Sequence, residues 1–251
     1  MVRRNWLVIL VLLGYALTPL LVPLLAPVAI GDDWVYVRSV EMLLREGRLH
    51  ILDLSVVTLL FQVAWGALFG SLFGLSFGVL RLSTFVMVFV GGVATYGVCR
   101  ELQVARGPSA LATAAYLFNP LSFVLAYTFM SDPHFNALLM ISNYGYVRGL
   151  RTDVPTPHHG ALIAGSLAAA CAFLVRQQGA LIPLAVLVAL LVQRRLTRDR
   201  AGMRLALRVM ALPALAMAGY YLWLGLVHGV PEQQRSFFGS VANAGWEQSL
   251  L

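Results

Sequence analysis

Eight stretches without a charged residue constrain the fold of this chain more than any other feature. Each is 15 to 27 residues long, and they cover residues 5–31, 54–80, 82–99, 107–131, 133–147, 154–175, 177–193 and 209–231. A membrane-crossing helix needs about 20 predominantly apolar residues, and most of the stretches approach this length. Charged residues make up only 12% of the chain, against about 25% in soluble domains. The sequence therefore predicts an all-α, polytopic membrane protein and excludes a water-soluble globular domain.

All 18 basic residues are arginine, and the formal net charge is +7. The absence of lysine from the sequence excludes a Schiff base and a P-loop lysine. Arginine collects in the cytoplasmic loops of polytopic proteins, so its surplus indicates topology, and we expect no nucleic-acid partner. Cys99 and Cys171 lie in apolar stretches and fit neither a metal-site spacing nor a disulfide framework.

The N-terminal region predicts one helix followed by an outer loop. The apolar stretch after Arg3 and Arg4 is longer than the roughly 7–15 residues of a signal-peptide core, so we interpret it as an uncleaved helix with a cytoplasmic N-terminus. Asp32 and Asp33 then lie just outside the membrane. In residues 34–49 the side chains are segregated at spacings of three and four, with Val37, Val40 and Leu44 on one side and Arg38, Glu41 and Arg45 on the other. This pattern predicts an amphipathic helix on the outer surface that ends at Gly47.

The stretch 54–80 decides the topology, because a crossing there would move every later loop to the other side. With a crossing, 13 arginines lie outside or near the outer face and 5 inside; without one, 12 lie inside and 6 outside. The positive-inside rule favours the second arrangement, in which 54–80 is a re-entrant or interfacial helix. Its glycines at 66, 70, 74 and 78 form a ridge beside an aromatic ridge, which is typical of close helix packing.

This arrangement predicts a single transmembrane domain over residues 1–251. The first outer loop is 31–78, with the amphipathic and interfacial helices, and 229–251 is an outer C-terminal segment. The seven predicted crossings are residues 5–29, 79–99, 108–128, 133–148, 160–175, 178–193 and 207–228.

Several charged residues fall together at the predicted outer ends of helices: Asp32, Asp33, Asp132 and Arg176. Charges are costly inside the bilayer, so acids at its border indicate a functional site. A carboxylate can deprotonate a hydroxyl or bind a divalent cation, and arginine can hold a phosphate. Each residue also has a structural alternative. The acids can cap the helices that follow them, the arginines at 176 and 81 can anchor helix ends in lipid headgroups, and His134 can be a polar edge residue.

The order of short motifs resembles the C-type (GT-C) membrane glycosyltransferases, in the branch of the protein O-mannosyltransferases and aminoarabinose transferases. The similarity covers about residues 1–191. The motifs, in chain order, are Gly-Asp-Asp-Trp-Val-Tyr-Val-Arg-Ser-Val-Glu, Gly-Val-Leu-Arg-Leu-Ser-Thr, Phe-Asn-Pro, Thr-Phe-Met-Ser-Asp-Pro-His-Phe and Val-Arg-Gln-Gln-Gly-Ala-Leu-Ile-Pro-Leu.

The resemblance implies transfer of a sugar from a polyprenyl-phosphate donor to a lipid, glycan or protein acceptor on the outer face of the plasma (inner) membrane. Asp32 matches the family's catalytic base. Asp33 and Asp132 match its further acidic positions, and Asp32 and Asp132 would hold a divalent cation where one is used. Arg176 matches a position where relatives place a polar or basic group near the carrier phosphate. The further candidates for substrate binding are Gln177, Arg81, Arg38 and His134.

Two features depart from this family. Relatives have a proline-rich motif with a lysine after the first-loop helix, where this chain reads Leu52-Asp53-Leu54-Ser55-Val56-Val57-Thr58. Relatives also continue with further helices, so we expect this chain to be an N-terminal portion or the shared core.

The composition leaves two other functions open. One is a polytopic transporter or lipid flippase, and the other is a non-catalytic membrane assembly subunit.

Overall fold

The computed structural model describes residues 5–24, 28–151 and 158–236, and every regular element in these ranges is helical. The α-helices that lie wholly within these ranges are α1 (Trp6–Ala16), α2 (Asp33–Glu46), α3 (Leu60–Phe73), α4 (Phe77–Glu101), α5 (Arg106–Phe118), α6 (Pro120–Ala126), α7 (Ser131–Gly149), α8 (His159–Phe173), α9 (Leu181–Val192) and α10 (Arg200–Trp223). A π-turn over Leu224–His228 extends α10. The predicted all-helical class is confirmed for these residues.

The helices form a bundle with two chemically different ends. At the site end, the first turns of α2 and α4 meet through Asp33 and Arg81, and the first turn of α7 meets Arg176, which follows α8. At the arginine-rich end, the last turns of α4 and α7 meet where Arg151 contacts Glu101. The described arginines at this end are residues 100, 106, 148, 151, 194, 195, 198, 200, 204 and 208.

Seven helical segments alternate in direction between these ends: α1, α4, α5 with α6, α7, α8, α9 and α10. Their order matches the seven predicted crossings. By length and apolar composition, however, only Phe77–Glu101 and Arg200–His228 among the described residues qualify alone as membrane spans, and the bent pair α5–α6 makes a third. The described part of the chain therefore has two helices long and apolar enough to cross a membrane, or three if the bent pair is one span, and the full count of seven crossings stays a prediction.

Helix α3 starts and finishes at the site end. At its start, the Leu59 and Phe61 amides donate to the carbonyls of Val175 and Leu174, just after α8. Its end is followed after three residues by α4, whose first turn is also at the site end. Both ends of α3 therefore lie at the same end of the bundle, and the re-entrant or interfacial placement of residues 54–80 stays a prediction.

Two predicted helices were wrong in their extent. The first helix was expected over 5–29, but α1 ends at Ala16 and a 3₁₀ turn covers Thr18–Leu20, while residues 25–27 lie outside the described ranges. The helix expected over 108–128 bends by 57° between α5 and α6. The cause is local, because Pro120 opens α6 and the side-chain oxygen of Asn119 accepts hydrogen bonds from two amides of its first turn.

The glycine ridge expected along one helix is divided between two. Gly66 and Gly70 lie in α3 and leave no room for side chains, because an added Cβ would be 2.6 Å from the Phe129 ring and 2.8 Å from Leu44 respectively. Gly74 instead ends α3 with a φ of +84°, which disfavours other residues. Close packing of α3 is thus confirmed at two of the four glycines.

The amphipathic helix is confirmed as α2, with Gly47 at its C-terminal end in the left-handed conformation, φ +65°. Its inward face is wider than expected. Val40 is fully buried as predicted, and Leu44, although 36% exposed, lies against Gly70 of α3. Asp33, Val35, Tyr36 and Ser39 are buried as well, and Tyr36 and Asp33 help form the site described next.

Candidate functional site

The centre of the site is an ion pair between Asp132 and Arg176. Arg176 donates from Nη2 to Asp132 Oδ2 over 2.8 Å and from Nε to Ser131 Oγ over 2.9 Å. Both charged side chains are partly exposed, Arg176 to 24% and Asp132 to 36%. Among the residues that the structure describes, Arg176 Nη1 has no hydrogen-bond partner. The guanidinium therefore keeps a donor for a ligand while two others fix its orientation.

The local backbone explains why Arg176 points away from α8. The helix ends at Phe173, Arg176 is extended with φ −143° and ψ 140°, and a 3₁₀ turn follows over Gln177–Ala180. A Cβ at Gly179 would collide with the backbone of Phe173, so this tight reversal accommodates only glycine. The Arg-Gln-Gln-Gly sequence thus turns the chain sharply and leaves the arginine at its apex.

Tyr36 joins the first loop to this ion pair. Its phenol shares a hydrogen bond with Ser131, the serine that accepts from Arg176. Burial raises the pKa of Tyr36 above its ordinary value of 10.0, and the negative charges of Asp32 and Asp132 raise it further, whereas the Ser131 hydrogen bond and Arg176 lower it. The phenol is therefore protonated at neutral pH and can act as a hydrogen-bond donor.

Asp32 lies on the exposed side of the same cluster. It is the residue before α2, but its side chain makes no capping hydrogen bond, so the capping alternative fails for this acid. Asp132 also is not a cap, because α7 begins with Ser131 after Met130. Asp32, Tyr36, Ser131, Asp132 and Arg176 are called the Asp32–Arg176 cluster below.

Asp33 has a different environment from its neighbour. It is completely buried and forms an ion pair with Arg81, Oδ2 to Nη2 at 2.9 Å, whose side chain is 1% exposed. Asp33 Oδ1 also accepts from the Ile30 amide over 2.9 Å, and Arg81 donates to the Val28 carbonyl. Both residues therefore join the start of the first loop to α4 rather than facing solvent.

His134 is buried too, one turn below the ion pair. Its Nδ1 lies 3.1 Å from the Met130 carbonyl, and its ring packs edge-on against Phe129 with ring centroids 5.6 Å apart. Gln62 of α3 donates to the Phe129 carbonyl over 2.7 Å. His134 thus contributes to the packing of α3 against α7, and the structure gives it no exposed face for a substrate.

Gln177 and Arg38 lie away from the cluster. The Gln177 side chain donates to the Val56 carbonyl over 2.7 Å and so holds the segment that leads into α3. Arg38 pairs with Glu41 on the exposed face of α2. It lines an open groove of about 610 Å³ that also includes Trp34 and Phe77, beside the first turn of α2.

Sequence reasoning thus identified three members of the cluster and missed Tyr36 and Ser131. Both had a signal in the sequence: Tyr36 is four residues from Asp32, one helical turn away, and Ser131 is adjacent to Asp132.

The described residues include no group of three or more His, Cys, Asp or Glu side chains that could hold a metal ion.

Comparisons with protein-family models, with curated proteins and with solved structures found no significant match for this chain.

Proposed function

We propose that this protein is a membrane glycosyltransferase that moves a sugar from a polyprenyl-phosphate donor to an acceptor hydroxyl. In this proposal the site end of the bundle faces the outside of the plasma membrane. The observation that carries it is the Asp32–Arg176 cluster, in which an exposed carboxylate from the first loop lies near a partly exposed carboxylate–guanidinium pair. The similarity of the motifs to the GT-C glycosyltransferases, with the protein O-mannosyltransferase and aminoarabinose-transferase branch, supports the same chemistry.

Asp32 acts as the general base. It accepts the proton of the acceptor hydroxyl while that oxygen forms a bond to the anomeric carbon of the donor sugar. The bond between this carbon and the phosphate oxygen breaks, and the polyprenyl phosphate leaves with its negative charge. Because the acceptor attacks opposite the leaving group, the anomeric configuration inverts.

Arg176 stabilises the departing phosphate through Nη1, and Tyr36 supplies a second donor nearby. Asp132 and Ser131 hold the guanidinium in place, which reduces the reorganisation needed as charge develops. Asp33 and Arg81 are positioning residues in this mechanism, since their buried pair fixes the backbone that carries Asp32.

The placement of charge favours an enzyme over a transporter or flippase. Transporters bind their cargo near the middle of the membrane, between repeated halves. Here the cluster lies at the ends of α2, α7 and α8. A lipid, glycan or protein acceptor can approach Asp32 along the groove that contains Trp34 and Arg38.

The test is sugar transfer by the reconstituted full chain from labelled polyprenyl-phosphate sugars, with transfer and translocation scored separately. We expect Asp32→Asn to lower transfer by about 10²–10⁴-fold, the contribution of a general base, without changing membrane insertion. The matched control is Glu46→Gln, which removes an exposed carboxylate from the other end of α2. Unchanged transfer in Asp32→Asn would contradict the assigned base, and translocation without transfer would favour the flippase.

A further inference from the structure

A groove follows the junction of α7 and α9 from the site end to the arginine-rich end. Its first part, about 420 Å³, is lined mainly by apolar side chains such as Phe135, Leu139 and Ile182. Its second part, about 570 Å³, reaches the last turns of both helices. Asn143, Val186 and Ala189 line both parts, so the two form one continuous groove.

The two halves of the groove differ in polarity. The half at the arginine-rich end adds Glu101, Gln103, Gln193, Arg151 and Arg195 to the lining. Arg151 pairs with Glu101 over 2.7 Å, and Arg195 donates to the Leu150 carbonyl over 2.8 Å. Among the described lining residues of this half, two arginines outnumber the one glutamate, while the other half is lined mainly by apolar side chains.

The surface beside the groove is apolar as well. Leu184, Val188 and Leu191 of α9 are 44%, 58% and 59% exposed and face away from the bundle. Helix α9 has 12 residues, which is about 18 Å at 1.5 Å per residue. This length is close to half of the roughly 30 Å hydrocarbon core, the depth that one acyl chain occupies.

We propose that this groove binds an anionic phospholipid of the cytoplasmic leaflet. An acyl chain lies along Val186 and Ala189, and the phosphate lies at Arg151 and Arg195. Basic pockets between membrane helices on the cytoplasmic side recognise anionic headgroups in this way. The inference uses the membrane orientation of the proposed function but not sugar transfer. The bound lipid would fill the gap between α7 and α9 and stabilise the chain around Gln178. This residue lines the groove and lies two positions after Arg176.

The experiment is native mass spectrometry of the full chain in detergent with phosphatidylglycerol or phosphatidylcholine added. We expect phosphatidylglycerol to bind in preference to phosphatidylcholine. Because one arginine near a membrane surface contributes about 1 kcal/mol to anionic lipid binding, Arg195→Gln should lower the affinity for phosphatidylglycerol about fivefold. Ala189→Trp, which fills the groove, should abolish the preference.

Matched controls keep the test specific. Arg198→Gln removes an exposed arginine of the same connection outside the groove, and Leu191→Trp places the same indole side chain on the exposed side of α9. Neither should change lipid binding. Three results would each overturn the proposal. They are equal binding of both lipids, an effect of Arg198→Gln as large as that of Arg195→Gln, and a protein dimer that excludes lipid. None of these readouts depends on transfer, so failure here is distinguishable from failure of the enzyme assignment.

Discussion

Asp32 and Asp33 are adjacent in the chain, yet their side chains have separate tasks. Successive helical residues are about 100° apart around the axis, so one carboxylate faces the open cluster and the other faces α4. Asp33 meets a guanidinium from a residue 48 positions later. The pair is neutral as a whole, and its additional contacts to the Ile30 amide and the Val28 carbonyl hold the first loop.

We predict that breaking this pair destabilises the fold. Arg81→Met leaves a buried carboxylate without its counter-charge and should cost about 3–5 kcal/mol of unfolding free energy. Asp33→Asn should also destabilise. The double variant should be less destabilised than the sum of the two single variants, because the two residues interact directly. The measurement is unfolding in mixed detergent micelles, and additive effects would contradict the direct coupling.

At the residue scale, the sequence was sufficient to select the acids and arginines but not to separate their environments. Asp132 and Arg176 were both chosen as polar residues at helix ends, and the structure brings them into contact. Arg81 and His134 were chosen on the same grounds and are buried. Burial depends on the rotation of each helix against its neighbours, which a local pattern does not record.

Helices α7 and α8 come into direct backbone contact at two glycines. An added Cβ at Gly145 would be 2.5 Å from the Gly165 Cα, and the Ser142 hydroxyl donates to the Gly165 carbonyl over 2.9 Å. The two backbones therefore touch, as small residues allow at the interfaces between membrane helices. This contact aligns the first turn of α7 with the end of α8, where Ser131 and Arg176 meet.

We predict that Gly145→Ala separates α7 from α8 and lowers the unfolding free energy by about 1–3 kcal/mol, the usual cost of overpacking. The control is Gly160→Ala in the first turn of α8, where an added Cβ meets nothing within 4 Å. There, alanine should be neutral or stabilising by up to about 1 kcal/mol. Thermal unfolding of the two variants in detergent checks this, and equal midpoints would contradict the close contact.

Helix breaks were the elements that sequence periodicity predicted least well. Apolar composition continues through Asn119 and Pro120, and only the capping side chain and the proline mark the bend. Gly74 was similarly counted as a packing residue, although its positive φ makes it a terminator. In both cases, hydropathy gave the length of apolar chain and backbone chemistry decided where the helix stops.

The two ends of the whole molecule differ in charge. Ten described arginines lie at one end, and the Asp32–Arg176 cluster lies at the other. If the arginine-rich end is cytoplasmic, as the positive-inside rule predicts, both ends of α3 are outside and residues 54–80 do not cross. Arg3 and Arg4, which were also placed inside, lie outside the described residues, as do residues 237–251 of the predicted outer segment.

We predict opposite accessibility for the two ends in a variant without native cysteines. A cysteine at position 106 should react with an impermeant maleimide only after the cytoplasmic side is opened. A cysteine at position 46, on the exposed face of α2, should react in intact cells. Labelling of position 106 from outside would reverse the orientation and move the Asp32–Arg176 cluster to the cytoplasmic side.

The sequence by itself determined the helical class, the apolar character and the segregation of arginine, because each follows from the local distribution of charge. Only the tertiary structure decided that Asp32 is exposed while Asp33 is paired, that Tyr36 and Ser131 connect the first loop to Arg176, and that α7 and α9 leave a groove. These outcomes depend on contacts between residues far apart in the chain, and helix rotation, close glycine contacts and helix breaks set them together.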